Sequence, residues 1–492
     1  MNRHSTVCAA LALLTMFAAT CWATVYEVGP GKAYENIRDV PWEAIDAGDT
    51  VNIYYRDTPY KEKFNVSVIG TQAKPVTIHG VPNAEGKLPV IDGEGAVTRT
   101  QMTYPSDERA VVNVGRANNA KHCPFGAESE YIVIENLEVM NGTDGRSYTS
   151  DDGKTGTYKG GHGIYVCLAE HVTIRNCVLH DNTEGYFFSS NEKYGWTGAM
   201  LVEGCHIYNN GTVGSDRVHG SYCESLGLTY QYNHYGPNLQ GCEGSALKDR
   251  SAGTVIRYNW IEEGFWNIDL VDAEGSSKLA NDPSYGGAFV YGNILVKSGK
   301  AAGHRMLHWG GDGENKTRYR SKPLEFYNNT FIDRAESEEG TELFQGSVGC
   351  NAPVHAYNNV FYSAAGVMHA AYRTGVVKLS HNWLSESFKG ADGGTVEDDG
   401  TNLTGKTPGF VDYAKEDYHL AAGSPCIDAG MTLPAVDLPD HDVVREYVAH
   451  QSTTERPKDG HVDIGAYEYA GAKTAVAIEA TGVRAESTGK RD

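Results

Sequence analysis

A parallel β-helix is the fold class that the sequence predicts, and three observations carry it. Between 131 and 387 the chain repeats one pattern: a short alternating apolar run, usually an Asn, another apolar pair and a polar turn. The marker positions Asn136, Asn176, Gly204, Asn233, Asn259, Asn293, Asn329, Asn359 and Asn382 recur about every 31 residues, too close for propeller blades. The runs are rich in β-branched and aromatic residues and lack a helical period. Coils stacked at the ordinary interstrand spacing of roughly 4.8 Å put equivalent positions into columns. Asn at the marker can then bond the Asn above and below, and its tolerance of left-handed backbone suits a corner.

Composition excludes other classes. The chain has 492 residues, 40% hydrophobic and 21% charged, with 57 Gly and 17 Pro, which rules out a disulfide miniprotein, a collagen and a disordered chain. A formal net charge of −21 makes nucleic acid and anionic membrane poor partners.

Taken in order, residues 1–23 read as a secretory signal peptide: Arg3, an apolar run over 8–20, and the Cys21-Trp22-Ala23 cleavage region. This places the protein in the periplasm or outside the cell. Lipid attachment at Cys21 fits less well, because Thr20 precedes it. No later stretch is long and apolar enough to span a bilayer. Residues 24–60 form an N-terminal cap with the first strands, and 34–55 offers a short amphipathic helix running into a strand. Residues 61–395 are the coils. Uneven marker spacing locates insertions at 141–161, 273–287 and 309–322, which on a solenoid flank and wall a binding face. The repeat fades into a C-terminal cap region over 396–470 and a small, polar tail over 471–492. Eight cysteines remain beyond the signal, with no CxxC pair or zinc spacing. Cys177 and Cys205, one coil apart, read as stacked free thiols.

Counting back twelve residues from the marker brings Ile164, Ser221 and Leu247 into register. Their neighbours face outward, so Tyr165, Tyr222 and Lys248 share one column and Cys167, Glu224 and Arg250 the next. The irregular coil before Gly204 is expected to break the column. The following coils add Asp269 and Asp272, then His304, Arg305, His308 and Trp309. One face thus concentrates the residue types of a sugar-binding groove, with His162, Tyr165, Arg305, His308 and Trp309 as substrate contacts.

Lys248 and Arg250 lie two residues apart on one strand face, with their charges roughly 6–7 Å apart. Their repulsion, about 2–3 kcal/mol at an effective dielectric near 20, favours a free amine and hence a general base. β-Elimination from a uronate needs such a base for the C5 proton, positive charge or metal at the carboxylate, and an acid at the leaving oxygen. His219 and Tyr222 are candidates for the acid, His219 because its coil adjoins that of Lys248. The reading requires Lys248, Arg250 and Arg305 to form a locally positive patch. Asp269, Asp272 and Glu274 leave three readings open: oxygen ligands for Ca²⁺ that bridge to a substrate carboxylate, the paired carboxylates of a glycoside hydrolase, or a solvated acidic turn. No EF-hand, GxSxG, P-loop or dinucleotide fingerprint appears, and no organic cofactor is implied.

The Ala47-Gly48-Asp49-Thr50 entry, the recurring Asn coils and the SPCIDAG (424–430) and DIGAYEY (463–469) ending resemble secreted bacterial right-handed parallel β-helix proteins, largely polysaccharide-active, among them the polysaccharide lyases. The segment 244–261 resembles the lysine-base strand of β-helix lyases of the alginate and chondroitin type, which would make Lys248 the base. Those enzymes carry an Arg-His-Gly element on the next coil, where this chain reads NIDLVDAEG. The resemblance therefore leaves the acid open among Arg250, Arg305 and Tyr222. It implies an exported, monomeric lyase for an acidic polysaccharide, with a hydrolase, a uronate epimerase and a non-catalytic glycan-binding protein as alternatives.

Overall fold

A computed structural model describes residues 23–299, 303–334, 340–364, 366–433 and 440–471. The signal peptide expected over 1–23 and the tail expected over 471–492 lie, but for residues 23 and 471, outside the described residues. From Val25 to Gly405 the described chain winds as a right-handed parallel β-helix, a typical coil contributing one strand to each of three parallel sheets. The coil of Lys248 is representative: 247–249 in the first sheet, 252–257 in the second, 260–262 in the third, and 266–270 returning to the first. In the strands 368–380 and 388–398 the first sheet runs into the second without a break.

Alternation drives the winding. Leu247, Ile268 and Leu307 of the first sheet, Ile256, Val290 and Phe326 of the second, and Ile261, Leu295 and Phe331 of the third all point inward with no exposure. Each coil closes its core only against its neighbours, so burial accumulates along the axis.

The recurring Asn serves two positions rather than one. Asn136, Asn176 and Gly204 sit at a corner whose backbone is left-handed, with φ of 57°, 50° and 62°. Asn and Gly tolerate that conformation best. The position after the corner is fully buried, and there Leu137, Cys177 and Cys205 give way to Asn233 and its successors. Asn233 Nδ2 donates to Asn259 Oδ1 (3.0 Å), and the ladder continues through Asn293, Asn329, Asn359 and Asn382 to Asn402. The marker register is thus shifted by one residue in its first three members. Cys205 N–H donates to Asn233 Oδ1 (2.9 Å) and Cys177 N–H to Cys205 Sγ (3.4 Å), so the two free thiols prolong the ladder.

The helix expected within 34–55 is instead two short 3₁₀ turns, Ile37–Asp39 and Trp42–Ala44. Pro41 separates them, forcing Val40 into extended backbone (ψ 134°). Trp42 still closes this end of the core, stacked on Phe64 at 4.6 Å. The antiparallel hairpins 410–420 and 445–455 lie along the outer side of the third sheet, where Tyr418 and Tyr447 pack against Trp260, Ile294 and Ile332. No helix among the described residues is long and apolar enough to cross a membrane.

Candidate active site

The first sheet presents one outward column that runs Tyr165, Phe187, Tyr222, Lys248, Asp269, His308, Gln345, Tyr372 on successive coils. Phe187 carries the column through the coil that was expected to interrupt it. Its ring stacks on Tyr222 at 4.8 Å. Period-two alternation along each strand and parallel pairing between strands produce this column without any further device.

A cleft of about 820 Å³ opens over the middle of the column. Its lining includes His219, Tyr222, Lys248, Arg250, Asp269, Glu274, Arg305 and His308 from the sequence reading. Three other expected contacts lie elsewhere. Trp309 follows His308 on one strand, so alternation turns it inward: it is 2% exposed, and its indole N–H donates to Ala352 O. His162 is buried with Nδ1 3.2 Å from Glu184, and Tyr165, 6% exposed, sits two coils beyond Tyr222.

The floor of the cleft is a chain of alternating charge. Lys248 Nζ donates to Asp269 Oδ2 and to Asp312 Oδ2, each at 2.7 Å. Arg250 Nη2 lies 2.7 Å from Asp312 Oδ1, Nη1 donates to Asp272 O (2.7 Å), and Nε donates to the Tyr222 hydroxyl (2.5 Å). Asp269 Oδ1 engages His308 Nδ1 (2.9 Å), whose Nε2 reaches Ser347 Oγ (2.9 Å). The setting of Lys248 is therefore the reverse of the one expected. Asp312 bridges lysine and arginine, so unscreened repulsion between them is not what surrounds the amine. Around the floor, Arg305 donates to Glu342 and lies over Phe265 and Tyr372, and Trp266 stacks on His308 at 4.9 Å.

Burial and these pairs set the protonation of the other groups. Burial alone would raise Asp269, but Lys248 and His308 hold it well below the usual carboxylate range; burial opposes Lys248 and Arg250 at Asp312 too, and the two cations lower it. Burial and the nearby Glu224 carboxylate push the Tyr222 phenol well above its ordinary value, so it stays protonated. Burial raises the Glu224 carboxyl to about 7. Burial, then Lys248, push the His219 imidazole down to about 3. Ser245 N–H donates to His219 Nδ1 (3.0 Å), which leaves the ring proton on Nε2 of a neutral ring. A neutral imidazole is a hydrogen-bond donor and a poor proton source.

Asp269, Asp272 and Glu274 do not fit a calcium cage. Both oxygens of Asp269 are engaged, Asp272 Oδ1 accepts the N–H groups of Asp312 and Gly313, and Arg250 stands 3.5 Å from Asp272 and 3.7 Å from Glu274. Only Asp272 Oδ2 is buried without a partner, too little for a hard cation that takes six to eight oxygens. Among the described residues no group of three His, Cys, Asp or Glu is placed to hold a metal. The same pairs engage both oxygens of Asp269 and one of Asp272.

The lining is neutral rather than positive. Arg217, Lys248, Arg250, Arg305 and Arg373 are matched by Asp216, Glu243, Asp269, Glu274 and Asp312. Against a chain of net charge −21 this is still the less acidic surface. Sequence reasoning missed Asp312, Trp266, Gln345, Arg217 and Arg373. For Asp312 the signal was the insertion over 309–322, recognised as a wall of the binding face without singling out the residue that enters it.

Solved structures with a similar chain path include an alginate lyase from Paenibacillus sp. str. FPU-7 (14% identity, 73% of this chain and 93% of that one, TM-score 0.44). Pectate lyase Pel9A matches at 13% identity over 90% of this chain and 96% of its own, with a TM-score of 0.47. The GH136 lacto-N-biosidase from Eubacterium ramulus matches at 13% identity over 77% and 68%, with a TM-score of 0.42. No family model and no curated protein matches the sequence. Likeness at this level concerns the winding of coils, and the chemistry has to be argued from the cleft's own side chains.

Proposed function

We propose that the chain is an exported polysaccharide lyase that cleaves a uronate-containing polysaccharide by β-elimination in this cleft. The observation that carries the reading is the convergence of Lys248 and Arg250, from one strand, on a single carboxylate at 2.7 Å each, with the Tyr222 hydroxyl 2.5 Å from Arg250 Nε. A uronate set in that seat has its carboxylate neutralised by Arg250, which stabilises the negative charge that builds as the C5 proton leaves. Lys248, the ammonium of the resting pairs, first loses a proton to solvent, takes the C5 proton as the free amine and ends as the ammonium again. Tyr222 passes its phenolic proton to the leaving glycosidic oxygen, and the resulting phenolate remains paired with Arg250 Nε. The C5–H and C4–O bonds break and a C4–C5 double bond forms. Arg305, on the cleft wall, serves a neighbouring uronate. An epimerase would share the proton abstraction and lack the departure of the oxygen.

Ultraviolet absorbance of the unsaturated uronate product tests this directly, on alginate, pectate, chondroitin and glucuronan, each with Ca²⁺ and with chelator. The expected result is a rise on at least one glycan, abolished in Tyr222→Phe or Lys248→Ala. New reducing ends without that absorbance would establish hydrolysis and refute the proposal.

A further inference from the structure

We propose that Asp312 holds the seat of the substrate's carboxylate in the resting protein, and that an acidic sugar enters by taking its place. The inference rests on the lyase reading above. It starts from where Asp312 comes from. Every other side chain in the charged floor belongs to a first-sheet strand or its immediate continuation, whereas Asp312 is delivered by the inserted segment over 309–322. Its two oxygens are divided between the two cations, Oδ1 on Arg250 and Oδ2 on Lys248, as a bound uronate's would be.

The two carboxylates on Lys248 differ in kind. Asp269 is 1% exposed and its second oxygen is locked on His308, so it cannot leave. Asp312 is 34% exposed, and among the described residues its side chain has no tie beyond the two cations. Its backbone is fastened independently, since the N–H groups of Asp312 and Gly313 donate to Asp272 Oδ1 at 2.8 and 3.0 Å. The carboxylate can therefore swing to solvent about its own side-chain bonds while the loop stays in place.

Charge then selects the guest. Lys248 and Arg250 are 7% and 6% exposed. With Asp312 turned away and nothing in its place, two buried cations would share too few partners, and an uncompensated buried charge is strongly unfavourable. A neutral sugar cannot relieve that, whereas an acidic sugar replaces the Asp312 carboxylate on Arg250, with the bidentate preference of Arg for a carboxylate, and leaves Lys248 paired with Asp269 until it acts as the base. The neutral lining of the cleft is on this account a resting balance in which one of the carboxylates is exchangeable.

The test uses galacturonate and glucuronate monosaccharides, which carry no glycosidic leaving group at C4, with galactose as the neutral control. Binding to the purified mature protein is followed by NMR titration in wild type, Asp312→Asn and Asp312→Glu, with melting temperature as the check on folding. Asn removes the competing charge, so at least one uronate should bind about tenfold tighter or more, galactose should not change, and Glu should return the wild-type affinity. Unchanged or weaker uronate binding in a folded Asp312→Asn overturns the inference, as does the absence of uronate binding to either protein. Tighter binding in a protein that eliminates no acidic polysaccharide would sink the lyase reading alone. Elimination without tighter binding would sink the Asp312 inference alone.

Discussion

Replacing Asn293 by Ala removes the middle rung of the buried ladder, and the damage can be counted from its bonds. Asn293 Oδ1 accepts the Asn259 backbone N–H (2.9 Å) and Asn259 Nδ2 (3.0 Å), while its own Nδ2 donates to Ile256 O, Tyr291 O and Asn329 Oδ1. Asn259 is fully buried, so its N–H is left without a partner and out of reach of water, which costs about 1–3 kcal/mol. The lost donations of Nδ2 add about 0.5–1.5 kcal/mol each at most, and water cannot replace them at a position with no exposure. Nδ2 has two hydrogens to give, so a total of about 2–6 kcal/mol follows. Asn402→Ala at the half-buried open end of the ladder should cost about 1 kcal/mol, because solvent can reach the groups it frees. Urea unfolding of the two variants beside wild type, followed by circular dichroism, makes the comparison. Equal costs at the two sites, or less than about 1 kcal/mol at Asn293, would refute the claim that buried rungs hold the coils in register.

Other outcomes follow from the cleft and its supports. Lys248→Arg keeps the charge opposite Asp269 and Asp312 but supplies no base at neutral pH, so glycan binding should persist while elimination falls by a factor on the order of 100–10,000 in steady-state assays. Trp309→Ala should destabilise by about 3–5 kcal/mol in urea unfolding, whereas Trp266→Ala at the cleft should raise KM with little loss of stability. His450 stacks on His234 and meets Trp260 edge-on, with ring centroids 4.0 and 5.1 Å apart, and so docks the last hairpin on the third sheet. Burial, the largest cause for both, pushes His234 and His450 down to about 4. The unfolded chain binds these protons first, so their contribution is complete above pH 6.5 and is lost as pH falls from 6.5 through 4. His450→Phe keeps a ring against His234 and should reduce the fall of melting temperature across that window without abolishing it, since His234 still titrates; an unchanged slope would overturn the assignment.

How much of this was legible in the chain differs by residue. The outward column of Tyr222, Lys248, Asp269 and His308 follows from alternation and spacing alone, because both are local properties repeated coil after coil. The same alternation, applied one residue further, turns Trp309 inward, so placing it in the groove ran against the pattern itself. The Asn pattern announced a ladder, yet the corner and the rung are adjacent positions that both favour Asn. Only the hydrogen bonds separate Asn176 at its left-handed corner from Asn233 at its buried rung.

By itself the sequence determined the solenoid, the columns and the face that carries the charged cleft, since each rests on a short-range period that every coil restates. Tertiary structure alone decided the charge state of that face. Asp312 reaches Lys248 from 64 residues away, through a loop whose path depends on Asp272 catching its backbone, and no local pattern encodes that closure. A Lys and an Arg two residues apart read as repulsion until a carboxylate from a distant insertion is set between them, because electrostatic sign depends on position in space and not on order along the chain.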